Sequence, residues 1–225
     1  MSEPARGPST SGRAFAPALE LRALDRFFDP VARFTMRDDV FRRRLVAEMA
    51  VQPGERVLDV GCGTGTLLLE VKRQQPGAEA AGIDPDPDIL SIAHGKARRA
   101  GVAVALDVGF ADQLPHDGAS FDHVVSTLAF HHLTREERDA ALREAMRVLK
   151  PGGGLHIGDF GRPARILRPL MTPLASIGAG RAADNLAGRL PELVRDAGFT
   201  EVRETARFPT LFAVPICLLH ARKPR

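Results

Sequence analysis

Val57-Leu58-Asp59-Val60-Gly61-Cys62-Gly63-Thr64-Gly65 is an apolar run that closes on an acidic residue and then breaks into alternating glycines. It reads as a buried strand feeding a tight loop, and Leu67, Leu68, Leu69 and Val71 begin an apolar helix just beyond it. Glycines let the backbone turn sharply and let a ligand approach main-chain N–H groups with no side chain between them. The helix N-terminus that follows favours an anionic or strongly polar ligand end.

The glycine spacing narrows the ligand. A dinucleotide fingerprint needs G-x-G-x-x-G, its third glycine allowing close helix–strand contact. Here the order is Gly61-Cys62-Gly63-Thr64-Gly65, and position 66 is Thr. Asp59, just before the loop, repels a pyrophosphate but suits an ammonium or sulfonium group. The pattern resembles the first motif of class I S-adenosylmethionine-dependent methyltransferases.

Outward from this motif the chain repeats strand-then-helix units, which predicts a parallel sheet covered on both faces. Strands are expected at 56–60, 80–84, 102–108, 121–127, 154–160, 199–207 and 211–220, with helices over 65–74, 88–100, 135–149 and 190–197. Ahead of the motif, apolar stripes predict helices over 19–28 and 38–49. The resemblance implies a Rossmann-like α/β fold, a seven-stranded and mostly parallel sheet with one antiparallel strand inserted near its end. Pro215 falls inside the stretch assigned to that strand, where it removes a ladder donor, so a bulge, a break or a shifted boundary is expected. Residues 1–18, rich in Pro, Gly, Ala and Ser, are expected to be a flexible segment, and 19–225 a single domain with front helices over 19–50. The 161–189 stretch is long for a plain connection and reads as a cover over the active site or as a helical insertion.

With 225 residues and 44% hydrophobic content, the chain can bury one sizeable core. No apolar run reaches bilayer-spanning length, and Met1 to Gly12 hold no apolar segment, so no secretory signal is expected. Two cysteines, Cys62 and Cys217, make no disulfide framework; reduced thiols in a cytoplasmic protein are the expectation. The net charge of +3 specifies no nucleic acid, and peripheral membrane contact is the most it supports. Arg42-Arg43-Arg44 reads as a solvated helix face, with phosphate or an anionic membrane as the alternative. Monomer and homodimer are both compatible with the composition.

Asp84, which ends the second strand in Asp84-Pro85-Asp86-Pro87-Asp88, is placed to receive both hydroxyls of a ribose, while Asp86 or Asp88 suits an N-cap. Gly109-Phe110-Ala111-Asp112 follows the third strand, and the resemblance implies that it borders an adenine. Phe110 stands where that family often carries a polar residue, leaving Asp112 for the polar contact. Residues Phe121 to Leu133, Pro151-Gly152-Gly153-Gly154 and Ala197-Gly198-Phe199 look like the quinone-biosynthesis and sterol methyltransferase subgroup. What this implies is S-adenosylmethionine as cofactor, S-adenosylhomocysteine as product, and binding by Asp59, Gly61, Cys62, Gly63, Thr64, Gly65, Asp84, Pro85, Phe110, Ala111, Asp112 and Thr127.

His131-His132 invites a metal reading, but adjacent imidazoles point apart and no companion motif completes a site. His131 is read as a general base or substrate-orienting group, histidine titrating near neutrality. The plainer alternative is that one histidine caps the next segment and the other packs under the cover. Asp159, at the end of the fifth strand, orients a nucleophile or serves a turn or an ion pair with Arg162. His156, between Leu155 and Ile157, reads as a satisfied interior histidine. Phe27, Phe28 and Phe34 are candidates to close over an apolar acceptor, with helix packing as the rival role. The resulting expectation is methyl transfer to a small, moderately hydrophobic acceptor: a phenol, quinol, activated carbon or amine. The rivals are a cofactor-binding regulatory or scaffold protein without turnover and, less favoured by the glycine spacing, a nicotinamide-dependent oxidoreductase.

Overall fold

A computed structural model describes residues 38–163, 185, 187–210 and 214–225. Among these, helices α1 (Asp38–Met49), α2 (Thr66–Gln74), α3 (Pro87–Ala100), α4 (Arg135–Val148) and α5 (Leu190–Asp196) flank seven strands. The strands are β1 (Arg56–Val60), β2 (Glu79–Asp84), β3 (Ala105–Val108), β4 (Phe121–Thr127), β5 (Leu149–Phe160), β6 (Thr200–Phe208) and β7 (Ile216–Arg222). They form one sheet in the order β3-β2-β1-β4-β5-β7-β6. The first five pair in parallel, and β7 runs antiparallel between β5 and β6. Strand order reverses at β1, so the tips of β1 and β4 flank a crevice at the carboxyl edge.

Alternation along each strand builds two cores. Leu58, Val124, Leu155, Ile157 and Leu219 pack with α4 and α5, whereas Val57, Val125 and Leu218 pack with Phe41 and Leu45 of α1 and Leu67 and Val71 of α2. Burying a Leu or Phe of this kind contributes about 1.5–3 kcal/mol. The sheet therefore needs both layers, and its period-two pattern fixes which residues emerge on which side at the strand tips.

Local chemistry sets the helix ends. Asp86 caps α3 by accepting from the Asp88 and Ile89 N–H groups, with Pro87 in the first turn. Thr134 and Glu137 form a reciprocal capping box at α4.

Several boundaries differ from the sequence reading. β3 begins at Ala105 rather than Val102, because the Val102 N–H turns back to the Ala97 carbonyl at the end of α3. β5 begins at Leu149 rather than Gly154, since Leu149 already pairs with Phe121 before a register shift delivers Gly154 opposite His123. β7 begins at Ile216, so Pro215 stands just outside the strand, and its carbonyl accepts the Gly161 N–H. The expected helix over 19–28, Phe27, Phe28 and Phe34, and most of the 161–189 stretch lie outside the described residues. Both thiols are free: burial pushes Cys62 far up and Cys217 up to about 12. Among the described residues no helix is long and apolar enough to cross a membrane.

Candidate functional site

The loop after β1 is held against the tip of β2. The Gly61 and Cys62 N–H groups both donate to the Ile83 carbonyl, and Gly63 N–H donates to Asp84 Oδ2 at 2.9 Å. Gly61 has φ +74°, and a Cβ there would lie 2.6 Å from the Ala129 Cβ, so this corner admits no side chain. The Cys62 side chain packs beneath the loop with Leu68, Ala80 and Leu90 and does not face the crevice. Thr64 and Thr66 hydroxyls both receive Lys96 Nζ from α3, at 2.7 and 3.2 Å, which ties the loop to that helix. Gly65 is the left-handed residue that starts α2.

Two carboxylates face this loop under different constraints. Asp84 is pinned: its Oδ1 accepts the Asp86 N–H while Oδ2 holds Gly63. Burial raises its pKa. Pro85 carries the chain between these two aspartates. Asp59 is fully buried, and neither of its oxygens has a hydrogen-bond partner. Burial pushes its pKa up to about 7, an effect that the charge of Arg42 opposes and that of Asp84 reinforces. A buried carboxylate left without donors is costly for the fold alone, and a cationic ligand group would relieve that cost.

Phe110, Ala111 and Asp112 form a half-buried turn beyond β3, with the Gly109 N–H anchored to the Asp84 carbonyl. Thr127 ends β4; its Oγ1 accepts from Arg42 at 2.8 Å. Leu128 follows at φ +53°, a conformation that non-glycine residues rarely hold, with its N–H fixed to the Gly158 carbonyl.

The short 3₁₀ turn Phe130–His132 carries His131 across to β5. There His131 Nδ1 lies 2.8 Å from Asp159 Oδ1, and the His131 N–H donates to Oδ2 at 3.1 Å. The Phe160 N–H also donates to Asp159, so three donors converge on one fully buried side chain. This acceptor set puts the His131 proton on Nδ1 and leaves Nε2 as the acceptor. Arg138 of α4 is buried and donates to the Phe130 and Leu133 carbonyls, bracing the turn. The Arg162 carbonyl accepts from Arg207; Asp159 takes His131, not Arg162, as its side-chain partner. His156 is buried between His123 and His220, away from this dyad.

The geometry therefore unites Asp59, Asp84, the 61–65 loop, the 110–112 turn and Thr127 at one edge of the sheet, with the His131–Asp159 pair beside them. Sequence reading missed Arg42, Lys96 and Arg138.

A 3-2-1-4-5-7-6 sheet with an antiparallel seventh strand, acidic at the tips of β1 and β2, defines a class I methyltransferase arrangement. The methyltransferase-domain family model matches residues 57–153. An uncharacterized methyltransferase of Synechocystis sp. is 30% identical over 169 residues, 74% of this chain and 77% of that protein. A demethylmenaquinone methyltransferase of Deinococcus radiodurans is 36% identical over 127 residues, 56% of this chain; the match spans about half, 52%, of that relative's length. Among solved structures, the [4+2]-cyclase SpnF superposes with a TM-score of 0.65 at 25% identity, covering 81% of this chain and 80% of that one. The chain belongs to the class I S-adenosylmethionine-dependent methyltransferases.

The residues fit that family's cofactor. Asp59 holds an unsatisfied buried carboxylate that an ammonium would relieve, and the pinned Asp84 has lone pairs left that hydroxyl groups would satisfy. Phe110 brings an apolar, half-buried side chain to the turn beyond β3.

Proposed function

We propose that this protein transfers the methyl group of S-adenosylmethionine to a small, moderately hydrophobic acceptor that gives up a proton: a phenol, a quinol or an activated carbon. The observation that carries this reading is the His131–Asp159 pair beside the cofactor cleft. When bound, the cofactor supplies an electrophilic methyl on a positively charged sulfur, which the acceptor displaces in line. Because that donor is already activated, the chain's task is alignment, exclusion of water and proton removal.

His131 Nε2 takes the acceptor's proton, and the buried Asp159 holds the ring in the productive tautomer and steadies the imidazolium that forms. Asp59 holds the ammonium rather than the sulfur, since charge on sulfur disappears in the transition state and tight pairing there would slow transfer. A neutral amine needs no base before attack, so this pair favours oxygen or carbon acceptors. We further place the protein in the cytoplasm, as a monomer or homodimer with no nucleic-acid partner.

A screen of phenols, quinols and amines for methyl transfer tests the proposal. Expected is turnover of a phenol or quinol that falls about 100-fold or more in His131→Ala, with the pH–rate profile losing the limb that falls toward acid. Amine-only turnover, or an unchanged profile, sinks the base role. A second reading, cofactor binding without methyl transfer, is favoured by Phe110 at the adenine position and by the likeness to a [4+2]-cyclase. It predicts stabilisation by S-adenosylhomocysteine with no turnover in the whole screen.

A further inference from the structure

We propose that His123, His156 and His220 form an acid-sensitive latch. The row holds α1 on the sheet while its three rings are neutral, and uptake of one proton releases the helix.

Strand register lays the row out on the face that α1 covers. His123 and His220 lie two residues from Val125 and Leu218, both of which pack with α1. His156 stands opposite His220 and two residues before Gly158, where an added Cβ would meet Phe41 and Leu45 of α1. His123 Nε2 lies 3.1 Å from Glu55 Oε2, and His123 Nδ1 lies 3.2 Å from His156 Nε2. His156 Nδ1 lies 3.3 Å from His220 Nδ1. His220 Nε2, at the far end, is buried with no hydrogen-bond partner among the described residues.

A neutral imidazole carries one N–H and one lone pair, so the Glu55 carboxylate sets the direction of every bond in the row. His123 donates to Glu55, His156 to His123, and His220 to His156, which leaves a lone pair on His220 Nε2. Whichever ring takes an extra proton, every arrangement that avoids N–H against N–H ends with an N–H on that atom. No acceptor waits there. Glu48 and Glu204 line a cavity of about 350 Å³ with His220, but Arg44 and Thr205 hold the first and Arg207 the second. Glu201 is paired with Arg222. Arg203, opposite His220 in register, adds a positive charge. Burial, followed by the charges of Arg203 and Arg222, holds the His220 pKa below its ordinary value. Burial, followed by its histidine neighbours, holds that of His156 well below.

Lifting α1 opens the Arg44–Glu48 side of the cavity and gives Nε2 water as its acceptor. The helix is a single 12-residue unit, tied to β6 through Glu48–Thr205 and to β4 through Arg42–Thr127. It therefore links the histidine row to the cofactor edge: acid favours the lifted helix and the cofactor the docked one. This coupling rests on the reading that the cleft binds S-adenosylmethionine; the latch itself does not.

Amide hydrogen exchange, corrected for its intrinsic pH dependence, tests the latch without any ligand. One proton entering on release, at the ordinary histidine pKa of 6.5, raises the open population about tenfold between pH 7.5 and 5.5. Protection of α1 should fall by that factor, from a level below that of α4 and insensitive to dilute urea, the marks of local opening. In His220→Gln the fall should vanish, since the amide donates to a neutral His156 and its carbonyl accepts from a protonated one. Arg203→Gln, at an exposed position, should shrink the fall. Protection of α1 that ignores pH, that matches α4 at every pH, or that falls equally in wild type and both variants overturns the latch. Calorimetry with S-adenosylhomocysteine reads the coupling. Wild type and His220→Gln should bind alike at pH 7.5, and wild type up to about tenfold more weakly at pH 5.5, Asp59 titrating equally in both. Equal affinities at pH 5.5 overturn the coupling. Absence of binding at pH 7.5 sinks the cofactor reading, while the exchange result still decides the latch.

Discussion

Replacing Asp59 by asparagine should stabilise the ligand-free protein and weaken the cofactor complex, two effects of opposite sign from one atom pair. Burial raises the Asp59 pKa from 3.8 to about 7. The folded state therefore holds a proton that the unfolded chain releases, and stability contributed by this site falls as pH rises from about 4 to 7. At 1.36 kcal/mol per unit, the ionised carboxylate costs the fold about 4 kcal/mol at pH 8 but only about 1.6 kcal/mol at pH 5. An asparagine amide in the same unpartnered pocket costs roughly 1–3 kcal/mol at either pH. The difference between variant and wild type should thus grow by about 2–3 kcal/mol in favour of Asp59→Asn from pH 5 to 8.

Urea unfolding at the two pH values, with and without S-adenosylhomocysteine, reads both effects. Ligand should stabilise wild type at pH 8 and do little for Asp59→Asn, because the neutral amide cannot pair with an ammonium. A pH-independent difference between the proteins, or ligand stabilisation that survives the substitution, would refute the reasoning.

Three further outcomes follow from the same geometry. Gly61→Ala combines a left-handed backbone with a 2.6 Å approach to Ala129, and should cost about 2 kcal/mol or more and abolish the thermal shift given by S-adenosylhomocysteine. His156 is buried in the chain Glu55–His123–His156–His220, and burial holds its pKa well below 6.5, so the fold binds fewer protons there than the unfolded chain does. Stability from this site is complete above pH 6.5 and lost below it; acid titration of wild type against His156→Gln should show a shallower loss in the variant. Arg138→Met removes the guanidinium from the Phe130 and Leu133 carbonyls, leaving Phe130 only the Leu133 N–H, and should lower kcat for methyl transfer more than cofactor affinity, measured by turnover and calorimetry on one preparation.

What could be read in the sequence was whatever local pattern dictates. The 57–65 run spelled out both the β1 strand and its loop because an apolar stretch, an acid and alternating glycines have few other uses. Asp84 was legible because β2 ends where its apolar run ends, whereas Pro215 signalled only an irregularity within the stretch expected at 211–220, of which the shifted boundary at Ile216 is the form observed. The start of β5 was hidden because Lys150-Pro151-Gly152 looks like a terminator, while pairing to β4 across a bulge carries the strand through it. Contacts made by topology were harder still. His131 and Asp159 were each visible as candidates, but their bond spans 28 residues and depends on β4 and β5 lying side by side. Arg42 was read as part of a solvated basic face, since nothing in Arg42-Arg43-Arg44 says that one of the three turns toward β4. The His123–His156–His220 row needs a parallel and an antiparallel register together, and at Gly154 an added Cβ would lie 2.6 Å from His156 Nε2.

Calorimetric titration of S-adenosylhomocysteine into wild type and Asp84→Ala, with NAD as the control ligand, reaches the heart of the account. Wild type should take up the nucleoside and ignore NAD, and loss of the carboxylate proposed to grip the sugar should weaken binding at least about tenfold. Undiminished affinity in Asp84→Ala, or a preference for NAD, would contradict it.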